Sequence, residues 1–202
     1  MIATKHSRRP ARPGRTRRRP PSGVAVVGLL VLAVMVAVML AGCRPAQAPR
    51  LATSPAERAT WPAVPRDSVP ARVERVVDGD TFIAGIAGRH ERIRLIGVDT
   101  PETVDPDRPV QPYGKEASSF AKHMLSGRTV RLVGDVEPRD RYGRLLAYVW
   151  LPDGTFWNAL LAAEGYAQLI TIPPDVTYAG LFQRLVDEAR SADRGLWASR
   201  TP

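Results

Sequence analysis

Arg94-Leu95-Ile96-Gly97-Val98-Asp99-Thr100-Pro101-Glu102 begins as a strand and ends as a packed run of polar and acidic residues. Arg89 to Val98 reads as the strand, with Ile93 and Leu95 on one face and Arg94 on the other, because side chains alternate along extended chain. Asp99 and Thr100 can cap a turn or helix start, and Pro101 suits its first turn. Upstream, Val73 to Val77 and Thr81 to Ala84 read as two strands around the Asp78-Gly79 turn. The three segments together predict an antiparallel meander.

Downstream, Tyr113 to Ser126 has helical spacing. Ala117, Phe120, Ala121, Met124 and Leu125 fall on one stripe, and Gly127 ends the run. Thr129 to Val133 and Leu145 to Leu151 are rich in β-branched and aromatic residues and read as strands. Asn158 to Glu164 and Tyr178 to Ala192 read as two further helices, the second with an apolar stripe through Leu181, Leu185 and Ala189. Five short strands with a helix inserted after the third predict an α+β fold, mainly β: a five-stranded antiparallel barrel with three helices.

Around this domain, placed at 71–202, the chain changes character. The formal charge of +9 suggests a polyanion partner until its location is checked. Residues 1–42 hold eight Lys or Arg and no acid, which leaves 21 basic against 20 acidic residues beyond them. Overall basicity therefore carries no evidence for nucleic-acid binding. Val24 to Ala41 is an 18-residue apolar run that leads through Gly42 to Cys43. A basic stretch, an apolar core and small residues before a cysteine resemble a bacterial lipoprotein signal, with Cys43 lipidated. The alternative is an uncleaved transmembrane helix, since 18 apolar residues approach bilayer-spanning length. In both readings the basic residues stay inside, and the rest of the chain faces outward at the cytoplasmic membrane. Residues 43–70, with six prolines from Pro45 to Pro70, read as a tether able to reach about 80 Å if extended. A packed segment anchored by Trp61 is the competing reading. Cys43 is the sole cysteine, which excludes an internal disulfide and a thiolate metal site.

Three segments concentrate charge where packing does not ask for it: Val77 to Thr81, Arg94 to Glu102, and Asp140-Arg141-Tyr142-Gly143-Arg144. Singly, each is a solvated turn, a capped helix start or a hairpin loop. Together they fit phosphodiester hydrolysis, which needs charge on phosphoryl oxygens neutralised and a water activated in line. Carboxylates and a carbonyl suit a hard cation such as Ca²⁺ or Mg²⁺, and the guanidinium fork matches phosphate oxygens in pairs. His90 and His123 have no ligand-spaced partner and read as surface residues, and Trp150, Trp157 and Trp197 read as packing residues.

With these motifs in this order and spacing, the segment from about Val73 to Trp197 resembles the thermonuclease family of staphylococcal or micrococcal nuclease type. The resemblance implies an OB-fold barrel and Ca²⁺-dependent hydrolysis of DNA and RNA to 3′-phosphate products. By motif, Asp80, Asp99 and the Thr100 carbonyl would hold Ca²⁺, Glu102 would position or deprotonate the attacking water, and Arg94 and Arg144 would bind the scissile phosphate. Tyr142 matches a tyrosine that contacts a nucleotide phosphate. Thr171 and Pro173 stand where the family's type member has two tyrosines near the nucleotide. Stacking of a base on an aromatic contributes about 1–3 kcal/mol, so base preference is expected to differ.

The reading is an exported, membrane-tethered, calcium-dependent nuclease, expected to be monomeric, with DNA or RNA as substrate. The rivals are a non-catalytic OB-fold module binding oligonucleotide and a structural envelope lipoprotein. A binding module needs the arginines but gains nothing from two metal carboxylates plus Glu102.

Overall fold

The computed structural model describes residues 50–102 and 111–198. The N-terminal segment 1–42, with its apolar run, and Cys43 therefore lie outside the described residues. Among the described residues no helix is long and apolar enough to cross a membrane.

The chain forms β1 (Val69–Val76), β2 (Thr81–Ile86), β3 (Arg89–Leu95), β4 (Val98–Asp99), β5 (Thr129–Val133), β6 (Leu145–Trp150) and β7 (Gln168–Leu169). Helices are α1 (Pro55–Arg58), α2 (Gly114–Leu125), α3 (Trp157–Ala163) and α4 (Ala179–Ser191), followed by a 3₁₀ turn at Gly195–Trp197. Five strands close into a barrel in the order β1-β2-β3-β6-β5, while β4 and β7 pair separately beside it. Alternation places Ala71, Val73, Phe82, Ala84, Ile93, Leu95, Val130 and Val149 inside, all buried. The single register irregularity in β1, between Val73 and Arg75, lies where the strand passes from β5 to β2 as its partner.

The expected barrel is present, but not as an all-antiparallel ring. β3 and β6 run parallel, in register from Ile93 opposite Leu145 to Leu95 opposite Ala147. A closed ring of five strands cannot alternate direction at every neighbour, so one parallel pair is obligatory. The pair falls here because α2 and β5 intervene between the two strands and carry the chain back to the starting end.

All seven residues of α3 are buried, which makes it the keel of the domain. Its Asn158 accepts from Val149 N at 2.9 Å and donates to Ile96 O at 2.9 Å, fixing β6 to the exit of β3. α4 packs Phe182, Leu185, Val186 and Ala189 inward. Gly97 at this corner has φ +81°, and a Cβ on it would meet the Phe182 ring at 2.5 Å.

Within the segment expected to be a tether over 43–70, residues 50–68 instead pack on the domain. Ser54 and Glu57 form a capping box at α1, Trp61 is buried in the core, and Trp150 Nε1 donates to Pro62 O at 2.9 Å. Glu164 receives the strap: its Oε1 accepts from Thr53 N (2.8 Å) and Thr53 Oγ1 (2.6 Å), and its Oε2 from Ala52 N (2.7 Å). Proline-rich composition predicted solvated chain. A few anchors set between the prolines decide otherwise, because each meets a specific partner on the barrel.

Candidate active site

The β1–β2 turn is drawn tight by Val77 N and Asp78 N, both donating to Thr81 O at 2.9 and 3.2 Å. The Asp78 carboxylate then accepts from Asp80 N at 3.1 Å, the local turn that Asp readily makes with the chain two residues on. Gly79 is required by contact: a Cβ there would lie 2.7 Å from the Thr100 side chain. Turn and β4 exit are thus pressed together across 21 residues.

Asp80 is the knot. Its Oδ2 accepts from Thr100 N (2.7 Å) and Thr100 Oγ1 (3.0 Å), its Oδ1 accepts from Thr81 Oγ1 (2.9 Å), and Arg94 Nε stands 3.4 Å away. Arg94 donates through Nη1 to Leu95 O (2.9 Å) and Val98 O (2.7 Å), and through Nη2 to Asp99 Oδ1 (2.6 Å). One guanidinium therefore separates two carboxylates that would otherwise repel. Glu102 N donates to the Gln111 side chain at 3.2 Å, and Gln111 N returns a bond to Glu102 O at 3.0 Å.

Electrostatically these groups form one unit. Burial, reinforced by the charge of Asp80 and further by Glu102, pushes the Asp78 carboxyl up to about 7. Asp99 is also raised, first by burial and then by Asp80 and Glu102, against the opposing pull of Arg94 and Arg144. The cluster holds more negative charge than its arginines comfortably balance.

The third segment is a hairpin loop wound around Asp140. Its Oδ1 accepts from Tyr142 N and Arg144 N, both at 2.9 Å, and its Oδ2 accepts from Arg144 Nε at 2.5 Å. Burial opposes ionisation of Asp140, but these bonds, led by the one from the Arg144 side chain, outweigh it and hold the carboxyl below its ordinary range. Arg144 is thereby oriented by its Nε, and its terminal nitrogens make no hydrogen bond among the described residues. The guanidinium carbons of Arg141 and Arg144 lie 4.8 and 5.4 Å from the centre of the Tyr142 ring, which is 67% exposed. Arg94, Tyr142 and Arg144 line a common cleft of about 530 Å³. Its lining also includes the apolar Ile170, Ile172, Pro173 and Pro174, with Ile172 63% exposed.

The residues singled out from sequence thus converge: Asp80, Arg94, Asp99 and Thr100 by direct contact, Glu102 and Arg144 through the field at Asp99, and Tyr142 across the cleft. Two participants were not singled out. Asp78 stood in a quoted motif without a role, and Asp140 is signalled only by its spacing of four from Arg144. His90 is exposed and bonded to Glu74 at 2.7 Å, His123 is exposed, and Trp150 and Trp157 are core residues, as read from sequence.

No group of three or more His, Cys, Asp or Glu placed to hold a metal occurs among the described residues. The available donors are all oxygen: the Asp80 and Asp99 carboxylates and the Thr100 carbonyl. They fit a hard divalent cation whose shell would be completed by other oxygens, at a place where the fold brings Asp80 and Asp99 to the same guanidinium.

The model of the staphylococcal nuclease homologue family matches residues 92–199. The thermonuclease of Staphylococcus intermedius is 53% identical over 125 residues, 62% of this chain and 74% of that protein. The thermonuclease of Staphylococcus hyicus is 46% identical over 128 residues, 63% of this chain and 75% of that protein. Endonuclease YncB of Bacillus subtilis (strain 168) is 37% identical over 128 residues, 62% of this chain and 60% of that protein.

Proposed function

Because the chain belongs to the staphylococcal nuclease family, we propose that it is a calcium-dependent nuclease hydrolysing phosphodiester bonds of DNA, RNA or both to 3′-phosphate products, exported and held at the outer face of the cytoplasmic membrane. The observation that carries the reading is the bonded cluster of Asp80, Arg94, Asp99 and Thr100 beside an oriented Arg144.

Asp80, Asp99 and the Thr100 carbonyl would hold the cation. When bound, it supplies positive charge at the phosphoryl oxygens and polarises the bond to phosphorus. Arg144, held by Asp140, forks the phosphate and balances the charge that grows on it during attack. Arg94 fixes the spacing of the two ligand carboxylates and offers a second cationic contact at the same phosphate. Glu102 takes the proton of the attacking water at its carboxylate and sets the line of approach. The rigid β1–β2 turn and the Asn158 clamp hold these groups on different loops in one arrangement.

Three protein oxygens fall short of the six to eight that Ca²⁺ takes, so waters and substrate phosphate would have to complete the shell, and binding without substrate would be weak. The test is cleavage of labelled DNA and RNA by the full chain, with Ca²⁺ or with excess EGTA. Cleavage only with Ca²⁺ is expected. Undiminished cleavage in EGTA overturns calcium dependence, and binding without cleavage under either condition returns the chain to a non-catalytic module.

The address rests on the basic residues Lys5 to Arg19, the apolar Val24 to Ala41, and Cys43. A diacylglyceryl group on Cys43 supplies the two acyl chains that make attachment stable. Mass spectrometry of the membrane fraction decides the anchor: a mature form beginning at lipidated Cys43 is expected, and an intact chain from Met1 with unmodified Cys43 assigns the uncleaved helix instead.

A further inference from the structure

The strand that delivers Arg94 to the site carries another arginine on the same outward face. Arg92 and Arg94 are two residues apart on β3, about 7 Å along the strand. Register continues the row across the sheet: Arg92 lies opposite Ile83 on β2, and Ile83 opposite Arg75 on β1. Directly paired residues share a face, so Arg75, Ile83 and Arg92 form one transverse row, next to the row of Thr81 and Arg94.

Both arginines are exposed, and neither makes an ion pair or side-chain hydrogen bond among the described residues. The two guanidinium groups stand on either side of one aliphatic residue, two strand spacings or about 10 Å apart, with their donors open to an anion. An acid is close at hand and is kept away. The irregularity between Val73 and Arg75 leaves both Glu74 and Arg75 exposed, and the Glu74 carboxylate lies over Gly85, where a Cβ would sit 2.8 Å from it, to reach His90 at 2.7 Å. It lies over the next row, farther from the site, and among the described residues no other acid pairs with the arginine row.

We infer that the Arg75–Ile83–Arg92 row is a secondary binding surface for the substrate strand, taking backbone phosphates of single-stranded nucleic acid beyond the scissile one. Arg92 and Arg75 meet successive phosphates, and half-buried Ile83 offers apolar surface to a sugar or base between them. The inference rests on the nuclease reading and extends it from one phosphate to a path.

The test compares the full chain in detergent with R75A/R92A and R75K/R92K on two substrates, a 30-nucleotide single-stranded DNA and the 4-nitrophenyl phosphodiester of thymidine. For R75A/R92A, about a tenfold higher KM on the DNA is expected, with kcat and the small ester unchanged. Anisotropy of the labelled DNA in EGTA should show the slope of log affinity against log salt falling by about 1.4, the share of two phosphate contacts on a single strand. R75K/R92K should retain most of the slope. An unchanged slope, or equal losses on both substrates, overturns the inference. Failure of the nuclease reading shows separately, as a wild-type chain that cleaves neither substrate, and the anisotropy series then still decides whether the row binds DNA.

Discussion

Glu164 and Asp80 are both buried carboxylates, and both tie together distant parts of the chain, Glu164 across 111 residues and Asp80 across 20. Their surroundings differ. Glu164 receives two backbone N–H groups and a hydroxyl from the strap, and each donor is spent on it. Asp80 has donors as good, yet it shares its space with Asp78, Asp99 and Glu102, and burial, with the charges of Asp80 and Glu102 added to it, raises the carboxyls of Asp78 and Asp99. Burial of a charge is thus not what marks a working site. A structural carboxylate is completed by its neighbours, whereas the cluster at Asp80 is left short of positive charge that a ligand can bring.

The contrast breaks or sharpens under substitution. The largest effect belongs to the water and phosphate groups: Glu102→Gln and Arg144→Ala should each lower kcat by about 10² to 10⁴. Thermal midpoints should stay near wild type, and a collapse in midpoint would move these residues to the structural class. Next comes Glu164→Ala, which leaves the Thr53 and Ala52 donors unpaired and should cost about 3 kcal/mol in denaturant unfolding. Turnover per folded molecule should not change, and a loss of turnover at low temperature would dissolve the distinction between the two carboxylates. Gly79→Ala tests the border between classes. The added Cβ must push Thr100 aside, so about 1–3 kcal/mol of stability and a clear part of the activity should be lost together. Smallest is Tyr142→Phe, which removes one exposed hydroxyl bonded to Arg141. It should leave stability within about 0.5 kcal/mol and change KM more than kcat.

Legibility in the sequence followed the same division. Strands and helices with a clean period, such as Ile93 and Leu95 or the stripe of α2, were readable because one face meets the core and the other meets water. The site was readable because three charged motifs recur in a known order, each on a loop between such elements. Where pairing is set by topology rather than pattern, reading stopped: nothing in β3 or β6 announces a parallel pair, which follows only from closing five strands. The strap was obscured by its prolines, since Thr53, Trp61 and Pro62 each act through a single partner far along the chain. Glu164 looked like the polar end of a short helix, and its clamp has no local signal. Asp78 escaped for a similar reason, since its carboxyl is raised first by burial, which only the fold creates, and then by the charges of Asp80 and Glu102.

The clamp on Glu164 also orders events in time. Thr53 comes early in the chain, but the carboxylate that fixes it follows 111 residues later, after every strand of the barrel. A contact of such long range closes late, because the loop it seals costs entropy until the intervening chain is already compact. A segment that precedes the barrel is therefore among the last to settle. Until then Trp61 and the Trp150 indole lack their partners, and the unfinished domain keeps an apolar edge.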